Sequence, residues 1–326
     1  MTQTLEPSEA PETPEGRRLS PGPMVRRRRR LIPYALILPA VAVLALVLLW
    51  PIAQMLWMSL HGYGLHQLQG QEAEWNNFAH YLHVLTDERF WEIFRNTIVV
   101  CSAMVALTMV LGTLVGLLMH KLPTWASTVL GLGMMLAWAT PVISAAIVYR
   151  WLFDTRYGLI NTLLNALPDW LTGPGWNDFN WFNSPGTLFP ILVVTVVWQS
   201  FPFVAISVLA GLKSIPGELY EAARMDGADA WKSFWNITFP TLRPLFALLL
   251  VLQVIWDFRI FTQLYILAGG VNRDVALIPT YIYQLGFAST PPNYGMGSAI
   301  AVIMTVLVLV ISAYYLRVMI RQEEAR

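Results

Sequence analysis

Six stretches of this chain are long and almost free of charge: residues 31–60, 96–119, 125–149, 188–212, 245–269 and 297–316. About 20 consecutive apolar residues cross the hydrocarbon core of a bilayer as a helix. Backbone facing lipid must satisfy its own hydrogen bonds, which helices do within one segment. The runs therefore select an all-α polytopic membrane protein with six transmembrane helices. Only 13% of the 326 residues are charged, against about 25% in a soluble domain.

Residues 1–30 differ from everything after them. Glu6, Pro7, Glu9, Pro11, Glu12, Pro14 and Glu15 form an acidic, proline-rich opening without apolar periodicity, a composition expected to stay disordered. Arg26 to Arg30 follow, directly before the first apolar run. Such a run can form a nucleic-acid patch. Beside a charge-free span it reads instead as an orienting anchor on anionic membrane lipid, and no nucleic-acid partner is expected. A cleaved signal peptide fits poorly, because the run is too long and Trp50-Pro51 is no small-residue cleavage site. The single cysteine, Cys101, lies in an apolar run, so a buried inert thiol is expected and no disulfide. His80 and His83 stand three apart without an evident third ligand, the pattern of a surface pair rather than a metal site.

Lys and Arg orient the spans. With a cytoplasmic N-terminus, that side holds 15 of them: seven in 1–30, Lys121, four in 213–244, and Arg317, Arg321 and Arg326. The other side holds five, Arg89, Arg95, Arg150, Arg156 and Arg273, while Arg259 lies in the fifth run. This bias predicts both termini inside. Gly112 and Gly116 give the second span a small face for close helix packing, read as packing within this chain. Pro141 should kink or break the third span.

The largest interior loop, 213–244, contains EAARMDGADAWKSFWNITFP at 221–240. Ser214, Pro216 and Glu218 read as a helix start. Leu219, Ala222 and Ala223 share a face, and Gly227 stops the helix. A second short amphipathic helix is expected through Trp231, Phe234 and Trp235. An interfacial helix lying in the headgroups is the plain alternative.

Glu221, Ala222 and Ala223, then Gly227, then Ile237 and Pro240 resemble the EAA loop of ABC importer permeases. Phe239 replaces the commoner Leu. Trp151-Leu-Phe-Asp154, Gly158-Leu-Ile-Asn161, Leu209 to Pro216, Phe258 to Phe261 with Gly269-Gly270, and Tyr281 to Ala299 extend the resemblance towards the sugar-importer branch, similar to its larger maltose-type permease. It covers residues 31–318. Two positions depart from that branch, Val271 where Pro is frequent and Thr262 where Asp is. The resemblance implies a type I ABC importer permease core with a cytoplasmic coupling helix. In that scheme 1–30 is a tail, 31–60 the first span, 61–95 an outer loop, 96–318 the core and 319–326 a cytoplasmic tail. It further implies that Glu221, Ala222, Ala223, Asp226, Gly227, Ile237 and Pro240 couple to a separate ATPase. The implied partners are two copies of that ATP-binding subunit, a second permease subunit, expected as a different chain, and an extracytoplasmic binding protein. ATP and Mg would then be bound by the ATPase, with no cofactor in this chain. The three lysines follow His, Leu and Trp, so none completes a phosphate-cradling Gly-Lys loop.

Charges at membrane depth usually face a cavity, and Asp257 and Arg259 are flanked by Gln253 and Trp256. Side chains two apart on a helix point apart, which disfavours a direct pair between the two charges. Trp198, Gln199, Ser200 and Phe203 place aromatic plates beside polar groups, a mixture suited to sugars; a packed aromatic core is the alternative. The resemblance places sugar contacts close to Trp198, Gln199, Ser200, Phe203, Trp256 and Arg259. The reading is thus a non-enzymatic permease subunit of an ATP-driven, binding-protein-dependent sugar importer in a bacterial-type inner membrane. Alternatives are a same-family permease for a phosphodiester, polyamine or anion, and a secondary transporter.

Overall fold

A computed structural model describes residues 23–173 and 175–323. The expected disorder up to residue 22 lies outside these, whereas 23–30 continue the first helix back to Pro23. The chain divides into two compact units, Met1–Gln54 and Met55–Arg326. Helix α1 (Pro23–Ser59) runs through that division. In the second unit α2 (Ala79–Thr86), α3 (Glu88–Lys121), α4 (Thr124–Trp138), α5 (Val142–Leu152), α6 (Leu159–Ala166), α7 (Pro185–Lys213) and α8 (Gly217–Met225) follow. They lead to α9 (Ala230–Asp257), α10 (Thr262–Leu267), α11 (Ile278–Tyr283) and α12 (Tyr294–Glu323). Among the described residues five helices are long and apolar enough to cross a membrane, and α4 with α5 supplies a sixth crossing if the bent pair counts as one.

Chemistry at the ends sets the helix limits. The Asp87 carboxylate accepts from Arg89 N at 3.0 Å to cap α3, and His120 and Lys121 occupy its last turn, where cations favour the dipole. The glycine face of α3 meets α7 as expected. A Cβ on Gly112 would stand 2.5 Å from Val204 Cβ, and one on Gly116 would stand 2.8 Å from Ala205 O. These two helices can approach so closely only because both positions lack side chains.

Two expected boundaries move. The third span is broken rather than kinked: α4 and α5 meet at 92° across Ala139-Thr140-Pro141. Gln199 Nε2 donates to the Thr140 carbonyl at 2.9 Å, which gives a partner to a backbone group that lies in the break between the two helices. Arg150, in the last turn of α5, donates to Ile266 O at 2.5 Å and so caps the C-terminal end of α10. The fifth span, expected over 245–269, instead runs over Ala230–Asp257 and includes a π-helical stretch, Phe234–Thr238. After Asp257 the chain turns and restarts as α10.

The loops around His61 and Gly295 are anchored. Gly295 N donates to Tyr63 O at 2.9 Å, and His80 Nε2 lies 3.1 Å from His61 O. Partial burial holds the His80 imidazole below its ordinary value, with the His61 carbonyl opposing and His83 reinforcing that shift. The thiol of Cys101 is buried and donates to Asp257 O at 3.3 Å.

Candidate functional site: the loop helix and the aromatic face

Helix α8 carries the loop motif. Its C-terminus is closed by two hydrogen bonds, Ala228 N to Ala223 O at 2.8 Å and Gly227 N to Arg224 O at 3.1 Å. Gly227 has φ +76°. This is a Schellman turn, with the glycine in the left-handed position that a side chain disfavours. Asp226 is the cap residue before it. Asp229 then opens α9 by accepting from Lys232 N at 2.8 Å, so the two helices are joined by a short, defined turn.

The two faces of α8 have different surroundings. Tyr220 and Ala223 are half-buried, and the Tyr220 hydroxyl shares a hydrogen bond of 2.8 Å with the buried Thr238 hydroxyl. Tyr220 also packs on the cluster formed by Val208, Leu212, Ile215, Leu242 and Leu249. Leu219, Glu221 and Ala222 are exposed. The sequence expectation that Leu219, Ala222 and Ala223 act as one face is therefore divided: Ala223 turns inward with Tyr220, and the other two point away. Ile237 is half-buried on the π-helical stretch, and Pro240 stands one turn further along α9. Tyr220 was not anticipated. Its signal was a lone aromatic three residues before Ala223, at helical spacing on a polar segment.

The residues expected along a solute path fall into three groups. Phe203 and Trp256 form a ladder with Trp138, which the sequence did not single out, with ring centroids 5.7 Å apart at Trp138–Phe203 and 5.4 Å apart at Phe203–Trp256. Trp198 lies 6.0 Å from Tyr149, and Trp198 and Trp256 remain 37% and 40% exposed. Ser200 is half-buried beside them on α7, whereas Gln199 is buried and spends its amide on the Thr140 carbonyl. Gln253 and Asp257 do not reach this face. They are 1% and 2% exposed and belong to the buried side of α9. Arg259 is exposed and lines a separate hollow of about 350 Å³ with Phe261, Tyr283 and Phe287.

The expected docking surface after α5 is internally organised. Asn161 is buried, donates to Thr155 O and Phe179 O at 3.1 and 3.0 Å, and accepts from Trp181 Nε1 at 2.7 Å. Trp176 stacks on Trp181 at 5.4 Å. Asp154 Oδ1 accepts from Tyr157 N and Arg156 N, and these backbone bonds hold its carboxyl below the ordinary value. Gly158 is required here because a Cβ would strike the Asp154 backbone. Tyr157 and Trp170 point outward.

Comparison with known proteins agrees with this architecture. Residues 109–323 match the family described as the binding-protein-dependent transport system inner membrane component. The chain is 42% identical over 302 residues to the diacetylchitobiose uptake system permease protein DasB of Streptomyces coelicolor, covering 91% of this chain and 89% of that one. It is 31% identical over 298 residues to the trehalose/maltose transport system permease protein MalF of Thermococcus litoralis, covering 90% and 95%. A solved bacterial ABC transporter involved in import of the acidic polysaccharide alginate shares the fold. Its TM-score is 0.74 at 22% identity, with 91% of this chain and 98% of that chain covered. The matched core and the 42% identity place this chain in the family of binding-protein-dependent transport system inner membrane components, multi-pass proteins of the inner membrane.

Proposed function

We propose that this chain is one permease subunit of an ATP-driven importer of a sugar or oligosaccharide, working with a separate ATPase and an extracytoplasmic binding protein. The 42% identity to a diacetylchitobiose permease supports the solute class. The observation that carries the mechanism is the division of α8. One face is tied to the span through Tyr220 and Thr238, while Leu219, Glu221 and Ala222 stand free. The small Ala222 lets the free face sink into a groove of the ATPase, and Glu221 offers it a charge. Closure of the ATPase then moves α8, and the Tyr220–Thr238 link passes that movement to α9. ATP and Mg act in the partner subunit. A second permease subunit completes the pathway, and Trp198, Phe203 and Trp256 offer it stacking surfaces for sugar rings. Tyr157 and Trp170 suit an interface with the binding protein, since aromatic residues are enriched there.

The test is solute-stimulated ATPase activity of the purified complex and ATP-dependent uptake in proteoliposomes. Truncating one partner of a desolvated charged pair costs about 2–5 kcal/mol. Glu221→Ala should therefore cut stimulated activity by more than tenfold while the permease still folds. Unchanged stimulation and unchanged co-purification of the ATPase would reduce the loop to an interfacial connector. Uptake driven by an ion gradient without ATP would replace the whole reading with a secondary transporter.

A further inference from the structure

A cavity of about 430 Å³ opens between the last turn of α3, the first turns of α4 and the end of α7. Ligand sites commonly have volumes of about 300–1,000 Å³. Its floor is apolar, with Met119 and Leu209 buried and Leu132 and Met135 on its wall. Its rim is basic: His120 and Lys213 line it, Lys121 is the next residue of α3, and no acidic side chain takes part. His120 and Lys213 are exposed and make no hydrogen bond or ion pair with any described residue. Thr124, the first residue of α4, also lines the cavity. The N-terminus of this 15-residue helix, with its partial positive charge, therefore adjoins the same rim.

An apolar trough ending in an unpaired lysine, a histidine and a helix N-terminus has the polarity of a phospholipid with an anionic headgroup. Basic pockets between transmembrane helices bind such headgroups, and polybasic segments near a membrane surface are drawn to anionic lipid. We propose that this cavity is an anionic-phospholipid site, with an acyl chain on the Met119–Leu209 floor and the phosphate at the His120–Lys213 rim. Lys213 is the last residue of α7, and only Ser214, Ile215 and Pro216 separate it from α8. A lipid held there sits at the root of the loop helix.

Gly131 gives a clean way to fill the cavity. It lines the trough, and a Cβ at this position would meet only Met119 Cε, at an ordinary 3.4 Å. A longer side chain is also favoured over glycine inside a helix. The experiment places the full complex in nanodiscs of phosphatidylglycerol and phosphatidylcholine in equal parts, then counts retained lipid by native mass spectrometry. Wild type should retain phosphatidylglycerol in preference to phosphatidylcholine. Lys213→Gln should lower that preference roughly five-fold, the weight of one basic side chain near the surface, and Gly131→Leu should displace lipid of both kinds. A photoreactive residue at Met135 of the otherwise unaltered chain should give a phospholipid adduct, whether or not the variants assemble. Equal retention of the two lipids by wild type, a preference unchanged in both variants, or a Met135 cross-link to a protein chain instead of lipid would overturn the proposal.

Discussion

At Gly227 the cost of a side chain is conformational, not steric: φ is +76° and nothing lies within 4 Å of where a Cβ would stand. A β-carbon in the left-handed region costs about 1–2 kcal/mol, and Asn visits that region more readily than other side chains. Gly227→Asn should therefore keep most solute-stimulated ATPase activity, while Gly227→Val, whose β-carbon meets no more than that of Asn but is branched, should lose most of it. Equal activity in the two variants would mean that the turn does not set the position of α8. Tyr220 is the complementary case. Tyr220→Phe removes one hydrogen bond worth about 1 kcal/mol and leaves the buried Thr238 hydroxyl without that partner. The ATPase should still co-purify, but stimulation by solute should fall several-fold; wild-type stimulation would make Tyr220 a packing residue only. Gly227 was legible in the sequence as the stop after a helical pattern. Tyr220 was not, because its partner lies 18 residues away and the intervening π-helical stretch shifts which side chains of α9 face inward.

On the scale of elements, α9 is where sequence reasoning and packing diverge most. Gln253 and Asp257 are four apart and share a face, and that face is buried, with the Asp257 carbonyl against Cys101 of α3. Asp257 Oδ2, both Gln253 amide atoms and Thr108 Oγ1 on α3 are buried without a hydrogen-bond partner among the described residues. A charge read from sequence at membrane depth points to a cavity, but sequence does not say which side of the helix faces it. The fifth run also concealed its own end. The apolar stretch continues to 269, yet the helix stops at Asp257 and the chain turns before α10. Burying this carboxyl is costly, either as an unpaired charge or through the proton needed to neutralise it, and Asn keeps its shape without ionising. Asp257→Asn should raise the thermal midpoint of the purified complex. It should also leave uptake close to wild type if Asp257 lies outside the solute path. A lower midpoint with lost uptake would show that the carboxylate finds a partner in a second conformation and is used during transport.

For the whole molecule, the long spans and the α3–α7 contact were legible because length, hydropathy and two glycines suffice to specify them. The 92° break was only half legible. Pro141 announces an interruption, but its angle goes with two contacts distant in sequence: Gln199 of α7 on the Thr140 carbonyl, and Arg150 tying the end of α5 to α10. Orientation across the membrane rests on the Lys and Arg bias and is open to direct measurement with two exposed side chains. Trp170 precedes α7 and Met225 follows it, and they are 84% and 88% exposed. The 29 residues of α7 at about 1.5 Å each span about 44 Å, so the two positions lie beyond opposite ends of a membrane-crossing helix. Trp176 is a poorer probe than its place in the loop suggested, since it is stacked on Trp181. The sole native thiol, Cys101, is buried and leaves a low background. In intact cells an impermeant thiol reagent should label Trp170→Cys and leave Met225→Cys unmodified, and permeabilised cells should expose both. Labelling of Met225→Cys from outside, with Trp170→Cys protected, would invert the topology and put α8 on the side away from any cytoplasmic ATPase.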